Sequence, residues 1–143
     1  MLYNDNGIAK ISQSMQRLYQ TNNIEITSHI ESACELYSDS MRLKTINTYI
    51  LSNAIKYSDK RKEKSFIHIS AKIDEQECYL RIEDNGIGID KIYQDKIFDI
   101  FFRATELSKG SGLGLYIVKD TINKLGGQIG LESTSGIGTI FNV

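Results

Sequence analysis

Proline is absent from this chain of 143 residues, and cysteine occurs only twice. Without proline there are no proline-marked linkers, and the sequence indicates no internal domain boundary. Cys34 and Cys78 are far apart, with neither a CxxC spacing nor a histidine pair nearby. A zinc site and a disulfide framework are therefore disfavoured, and a reduced, intracellular (cytoplasmic) setting is the simplest interpretation.

The chain also lacks a charge excess of either sign and a long apolar run. Its formal net charge is -1, so there is no polybasic surface typical of nucleic-acid binding and no acidic tail. No apolar segment approaches the roughly 18–20 residues that span a bilayer, and no signal peptide opens the chain, so we expect no membrane contact. The length and a hydrophobic content of 41% are typical of one soluble, monomeric globular domain.

Hydrophobic periodicity predicts strands grouped beside helices. Apolar spacings of three or four predict helices over 8–20, about 39–58 and 112–125. Alternating residues predict strands within 24–30, 65–73, 77–83, 126–134 and 139–143. The charged segment 59–64 is predicted to be a solvated loop. We expect hairpin rather than crossover connections, and therefore an α+β layer architecture.

Three glycines in "GSGLGL", residues 110–115, lie at the start of the last predicted helix. Backbone N–H groups freed there can point at an anion, and the helix dipole favours negative charge. The pattern is not a P-loop, because no Lys-Ser or Lys-Thr follows the glycines. The sequence alone leaves two interpretations open, a phosphate site or a glycine-rich start of a helix without a ligand.

The long central helix carries "YILSNAIKY", in which Tyr49, Asn53 and Lys56 share a stripe. An asparagine amide oxygen is a suitable neutral ligand for Mg²⁺, which usually keeps waters and bridges phosphates. A lysine one turn on can neutralise phosphate charge. The alternative is a helix with one buried, hydrogen-bonded asparagine and a lysine whose stem covers apolar surface.

The segment "EDNGIGID", residues 83–90, places a carboxylate and two glycines after a predicted strand. The Asp84 carboxylate can accept a hydrogen bond from the exocyclic amine of adenine and would reject guanine, which presents a carbonyl there. Gly86 and Gly88 let the backbone approach the base and adopt positive φ. An ordinary turn with aspartate–backbone bonding is the alternative.

These motifs occur in a specific order. First comes Asn-Ala-x-Lys-Tyr on a predicted helix, and then Asp-x-Gly-x-Gly after a predicted strand. Phe-Phe-Arg follows, then Gly-x-Gly-x-Gly at the start of a helix, and finally Gly-x-Gly-Thr before the last strand. In this order the sequence resembles the catalytic ATP-binding domain of bacterial two-component sensor histidine kinases, over about residues 22–143. The superfamily includes gyrase, the ninety-kilodalton heat-shock chaperone and the mismatch-repair ATPases. The resemblance implies a two-layer α/β sandwich, with helices on a mixed, mainly antiparallel sheet (the Bergerat fold).

The resemblance also implies a site for ATP and Mg²⁺. In it Asn53 is the Mg²⁺ ligand, Asp84 holds the adenine amine, and Thr139 supports Asp84 and the base. Asn53, Lys56 and Arg103 are the implied catalytic residues. Residues 91–109 would form a mobile lid, anchored by Phe101 and Phe102. The implied nucleotide contacts are Asn53, Lys56, Tyr57, Asp84, Gly86, Gly88, Arg103, Gly110, Ser111, Gly112, Leu113, Gly114, Leu115 and Thr139.

The sequence departs from the family pattern in two places. Tyr49 stands where the superfamily's hydrolases have a glutamate that activates water, and tyrosine, with a solution pKa of roughly 10, is a poor base at neutral pH. Neither His29 nor His68 is followed by an acid and a proline-containing motif, so the histidine that accepts the phosphoryl group is missing. We therefore expect a fragment in which residues 1–21 are an N-terminal helix or linker, at most the trailing end of the dimerisation domain.

The implied function is Mg-ATP binding and transfer of the γ-phosphoryl group to a histidine on a separate dimerisation domain, which in turn serves the receiver domain of a response regulator. Two alternatives remain open at this point. One is a serine kinase of the anti-sigma-factor type from the same superfamily. The other is a degenerate nucleotide-binding module that acts as a protein docking surface.

Overall fold

The computed structural model describes residues 24–32, 40–74, 77–99 and 114–143. These ranges contain five strands, two α-helices and one short 3₁₀ helix, Lys91–Tyr93. The strands are β1 Ile24–Ser32, β2 Ser65–Ile73, β3 Cys78–Asp84, β4 Gly130–Thr134 and β5 Gly138–Asn142. The helices are α1 Ser40–Lys56 and α2 Gly114–Lys124. The predicted helix over 8–20 and residue 39, where the central helix was predicted to begin, lie outside the described residues.

The five strands form one mixed sheet in the order β1-β2-β3-β5-β4. Strands β2, β3, β5 and β4 pair antiparallel, and the predicted hairpin of β2 with β3 is confirmed. The expectation of hairpin connections only was wrong for β1, which pairs parallel with β2. Helix α1 lies between these two strands in the chain, and such a crossover returns the chain to the same end of the sheet. The α+β class is confirmed.

One face of the sheet packs against the two helices. Alternation along β2 and β3 places every second residue in the core, because successive side chains of a strand point to opposite faces. Helix α1 buries a wide stripe, in which Leu51 and Ile55 are buried beside Ile46 and Ile50. The most deeply buried apolar side chains are Ile46, Ile50, Leu51, Ile67, Ile69, Ile82, Val118 and Ile122.

The segment 59–64 is not the fully solvated loop that its charge predicted. Asp59 is only 3% exposed, and its carboxylate accepts three hydrogen bonds from Arg61, one from the backbone N–H and two from the guanidinium. These bonds hold the pKa of Asp59 at about 2, well below its ordinary value. The partner that makes burial tolerable lies two residues away, so charge density alone was misleading.

Within the described ranges, no helix combines the length and the apolar character needed to cross a membrane.

Candidate functional site

Asp84 is the last residue of β3 and follows the buried side chains of Leu80 and Ile82 on the same face. The two-residue period therefore directs its carboxyl group toward the helical layer rather than toward solvent. An acid on the core face of a strand is unusual, because burying a charge carries a desolvation cost. The position of Asp84 follows from the alternation of "CYLRIED" and from nothing else local.

Burial raises the pKa of Asp84 from 3.8 to about 6. Hydrogen bonds from the backbone N–H groups of Gly86 and Thr139 oppose this rise, as does the positive charge of Lys62, whereas Glu83 adds to it. The Gly86 N–H lies 2.9 Å from Oδ1 of Asp84. At neutral pH the group is therefore mostly ionised, and it is held in place by backbone donors.

The sheet register places three polar side chains in one row across β3, β5 and β4. Asp84 pairs with Thr139, and Thr139 pairs with Ser133. The hydroxyl oxygens of Ser133 and Thr139 are 2.8 Å apart, and Ser133 Oγ accepts a hydrogen bond from the Ile89 N–H at 2.8 Å. The next row on the same face of the sheet, Ile82–Phe141–Leu131, is apolar. The polar row thus marks the end of the core and the beginning of a site.

The loop after Asp84 packs directly on the end of α1. A Cβ added at Gly86 would lie 2.4 Å from the carbonyl oxygen of Tyr57, so any side chain there would separate the loop from the helix. The same carbonyl accepts a hydrogen bond from the Ile87 N–H at 3.0 Å. Gly88 has a φ of 72° and lies against the Thr134 carbonyl, a conformation and a contact that only glycine allows.

The last turns of α1 therefore lie beside this loop. Tyr57 contacts Gly86, and Asn53, one turn earlier, is partly buried, whereas Lys56 is exposed. Tyr49, one further turn back, packs its ring against Gly114 at the start of α2, 3.3 Å from the position of an added Cβ. The structure thus brings the end of α1, the loop after β3 and the start of α2 together around one region.

Several residues of the implied site lie outside the described ranges, namely Arg103, Gly110, Ser111, Gly112 and Leu113. Phe101 and Phe102 lie outside as well.

Leu115 is partly buried and packs against the core. The described part of the predicted lid, 91–99, packs against the rest of the domain. Ile97 is buried, and Phe98 packs edge-on against Phe141. Gln94 donates hydrogen bonds to the carbonyls of Ile89 and Ser133. The prediction of a mobile lid that starts at residue 91 was therefore wrong for residues 91–99, which pack against the rest of the domain.

Three residues near this site were missed in the sequence. Asn85 ties the loop to the start of β2, accepting from the Phe66 N–H and donating to the Lys64 carbonyl, both at 2.9 Å. Ser133 shares the core face of β4 with Leu131, a placement that strand alternation in "GLEST" indicates. Lys62, from the segment 59–64, donates to carbonyls of the loop and of the β4–β5 turn. No local sequence pattern marks Lys62.

The residues present fit a magnesium ion only if the nucleotide phosphates supply most of its ligands. Among the described residues no group of three or more His, Cys, Asp or Glu side chains could hold a metal. Asn53 offers a single amide oxygen, which suits Mg²⁺ because this ion usually retains waters and takes most other ligands from substrate phosphates. The protein's contribution to such a site would be small, and the phosphates would supply the rest.

Comparison with known proteins identifies the class to which this fold and site belong. The family described as "Histidine kinase-, DNA gyrase B-, and HSP90-like ATPase" matches residues 38–143. The chain belongs to this family.

Its relatives are sensor histidine kinases, and it is similar in structure to their catalytic domains. It is 37% identical over 123 residues to "Autoinducer 2 sensor kinase/phosphatase LuxQ" of Vibrio vulnificus (strain YJ016), covering 82% of this chain and 14% of LuxQ. It superposes on the "Mycobacterial sensor histidine kinase MprB" with a TM-score of 0.78 at 27% identity, covering 96% of this chain and 89% of that one.

A further solved structure shares the fold. "ShkA full-length in complex with AMPPNP" aligns with a TM-score of 0.82 at 23% identity, covering 99% of this chain and 30% of the ShkA chain. The chain thus spans a small fraction of the length of LuxQ and of ShkA.

Proposed function

We propose that this domain binds Mg-ATP and donates the γ-phosphoryl group to a histidine on a separate dimerisation domain. The observation that carries the proposal is the position of Asp84, an acid that ends the buried face of β3 and faces the helical layer. Beside it the loop backbone packs so closely on α1 that Gly86 has no room for a side chain. A carboxylate held in this way is suited to recognise the edge of a flat base.

Adenine is the base that this arrangement favours. Its exocyclic amine donates a hydrogen bond, which the ionised Asp84 can accept, whereas guanine would place a carbonyl oxygen against the carboxylate. The pKa of about 6 leaves the carboxylate mostly ionised at neutral pH while it stays partly desolvated, and hydrogen bonds to such a group are strong. Thr139 is the neighbouring residue on β5 and would support the same edge of the base.

The phosphates would extend from the base along the end of α1 toward the start of α2. Lys56 is exposed and would neutralise phosphate charge, and Asn53 would contribute its amide oxygen to Mg²⁺. Bound Mg²⁺ would supply charge neutralisation on the phosphates. Helix α2 begins nearby, at Gly114, which contacts the ring of Tyr49 on α1. The N-terminus of a helix favours anions such as phosphates. Arg103 and the glycines before α2 remain predicted phosphate contacts.

Phosphoryl transfer would then require positioning more than covalent chemistry by this domain. An imidazole nitrogen of the acceptor histidine attacks the γ-phosphorus, a P–N bond forms, the bond to the β-phosphate oxygen breaks, and ADP leaves. Tyr49 is a poor candidate for activating water, because a phenol is a much weaker general base than the carboxylate that hydrolases of the superfamily use. Slow hydrolysis of ATP by the isolated domain is therefore expected.

The relatives support this proposal and supply its context. LuxQ is a sensor kinase and phosphatase by its description, and ShkA was crystallised with AMPPNP. In such a protein residues 22–143 would be the ATP-binding domain and residues 1–21 the helix or linker that leads into it. A response regulator receiver domain would be the next partner, and the cytoplasm the compartment.

The test is to mix this chain with γ-labelled ATP and a separately produced histidine-bearing dimerisation domain. We expect label on that domain as acid-labile phosphohistidine, and none when Asp84→Asn or Asn53→Ala replaces the wild type. Binding of ATP without any phosphohistidine would favour a docking module. Acid-stable label on serine of an added protein would favour a serine kinase.

A further inference from the structure

Lys62 connects two segments that are far apart in the sequence. Its Nζ donates hydrogen bonds to the carbonyl oxygen of Asn85 at 2.7 Å and to that of Ile137 at 3.0 Å, with the Gly86 carbonyl at 3.4 Å. The first and third carbonyls belong to the loop after Asp84, and the second to the turn between β4 and β5. An ammonium group has three N–H donors, so three acceptors match its full capacity.

The backbone that carries Lys62 is itself fixed. The Lys62 N–H donates to the carbonyl oxygen of Asp59 at 3.1 Å, and the buried carboxylate of Asp59 is held by Arg61. This turn follows directly after α1, whose last carbonyls contact the same loop through Tyr57. Lys62 is therefore presented from a turn whose backbone is braced by its own hydrogen bonds.

The two segments that Lys62 joins both contribute to the proposed adenine pocket. The loop follows Asp84 and carries Gly86 near its start, and the turn leads into Thr139 on β5. Their backbones also meet through the Gly136 N–H, which donates to the Ile87 carbonyl at 2.7 Å. Lys62 occupies the carbonyl oxygens of both segments, so neither needs water or ligand there.

We propose that Lys62 is a positioning residue that fastens the loop after β3 to the β4–β5 turn and so fixes the geometry of the base pocket. This inference rests on the proposed function, since the pocket is the one assigned there to adenine. The neighbouring Lys60 and Lys64 have exposed side chains, so the segment offers matched lysines without this placement.

The positive charge of Lys62 adds a second effect on the same site. It lowers the pKa of Asp84, in opposition to Glu83 and to burial. Loss of the charge should therefore move the titration of Asp84 to higher pH, in addition to loosening the loop. A residue that merely stabilised the fold would leave that titration in place.

The experiment compares Lys62→Gln, Lys62→Arg and the control Lys60→Gln in the 143-residue chain, with melting curves to verify folding. Affinity for Mg-ATP is measured by calorimetry, and the Asp84 carboxyl is titrated by carbon NMR without nucleotide. We expect Lys62→Gln to weaken binding roughly tenfold or more and to raise the titration midpoint of Asp84. Lys60→Gln should change neither, and Lys62→Arg should keep the midpoint near that of the wild type.

Three results would overturn the inference. The first is that Lys62→Gln and Lys60→Gln have the same affinity for Mg-ATP and the same titration midpoint of Asp84. This result would leave the proposed ATP binding of the domain unaffected. The second is weaker binding with an unmoved titration and no recovery in Lys62→Arg, which marks a general loss of structure. The third is failure of the wild type to bind Mg-ATP, which removes the proposed function and this role together.

Discussion

Thr139 lies directly opposite Asp84 across the pairing of β5 with β3, and its backbone N–H helps to hold the Asp84 carboxylate. Thr139 is itself buried, with 6% of its surface exposed. An acid and a hydroxyl residue thus face the helical layer side by side, and the next row on the same face, Ile82–Phe141–Leu131, is apolar. The proposed recognition of adenine depends on this pair.

The first prediction concerns stability and pH. Because the pKa of Asp84 rises from 3.8 to about 6 on folding, the native state binds more protons than the unfolded state between these values. The free energy of unfolding should therefore fall as pH rises from 4 to 7, by at most about 3 kcal/mol from this group. Urea unfolding of wild type and Asp84→Asn at several pH values measures it. Parallel stability curves for the two proteins would contradict the assignment.

The second prediction concerns base specificity. Wild type should bind ATP at least about a hundredfold more tightly than GTP, because guanine places a carbonyl oxygen instead of an amine donor against the Asp84 carboxylate. Asp84→Asn should lose most of its ATP affinity and much of this discrimination. Competition of unlabelled ATP and GTP against a fluorescent nucleotide provides the measurement. Glu83→Gln, which alters the neighbouring acid, serves as control and should keep the preference for ATP.

The third prediction concerns the contact between the loop and α1. Gly86→Ala would place a Cβ 2.4 Å from the Tyr57 carbonyl, and backbone must move to relieve it. We expect a loss of about 1–3 kcal/mol of stability and at least about tenfold weaker ATP binding. Gly130→Ala is the matched control, because an added Cβ there would find its nearest neighbour only at 4.0 Å. Equal effects of the two substitutions would speak against the close contact.

The fourth prediction concerns the metal. Asn53→Ala should remove most of the gain in ATP affinity that Mg²⁺ gives the wild type, since the amide oxygen is the proposed protein ligand. Titrations of ATP with Mg²⁺ and with EDTA separate this gain from binding of the base. Asn123→Ala, on the exposed side of α2, should behave like wild type. An unchanged dependence on Mg²⁺ in Asn53→Ala would exclude the proposed ligand.

The fifth prediction concerns the hydroxyl row. Ser133→Ala removes the acceptor of the Ile89 N–H and the partner of Thr139. It should cost about 1–3 kcal/mol of stability, because a partly buried donor loses its partner, and should weaken ATP binding several-fold. Ser135→Ala, at an exposed position of the turn, is the control. Melting temperatures and nucleotide titrations of both variants provide the comparison.

The local sequence pattern was sufficient to predict those features that depend on a single strand or helix. The α+β class, the five strands and the two described helices follow from hydrophobic period. The placement of Leu80, Ile82 and Asp84 on one face follows from alternation in "CYLRIED". The family was indicated by the order of the glycine-containing motifs, and the match over residues 38–143 confirms it. These properties are local, because a strand or helix sorts its side chains by geometry alone.

Only the tertiary structure decided which distant segments meet. The parallel pairing of β1 with β2 and the row of Asp84, Thr139 and Ser133 both depend on contacts that no local pattern encodes. Lys62 is the clearest case, since the carbonyl of Ile137 that it binds lies 75 residues away in the chain. The sequence by itself determined what each strand presents. Folding determined the neighbours, because burial and hydrogen bonding are satisfied between segments that only the compact chain brings together.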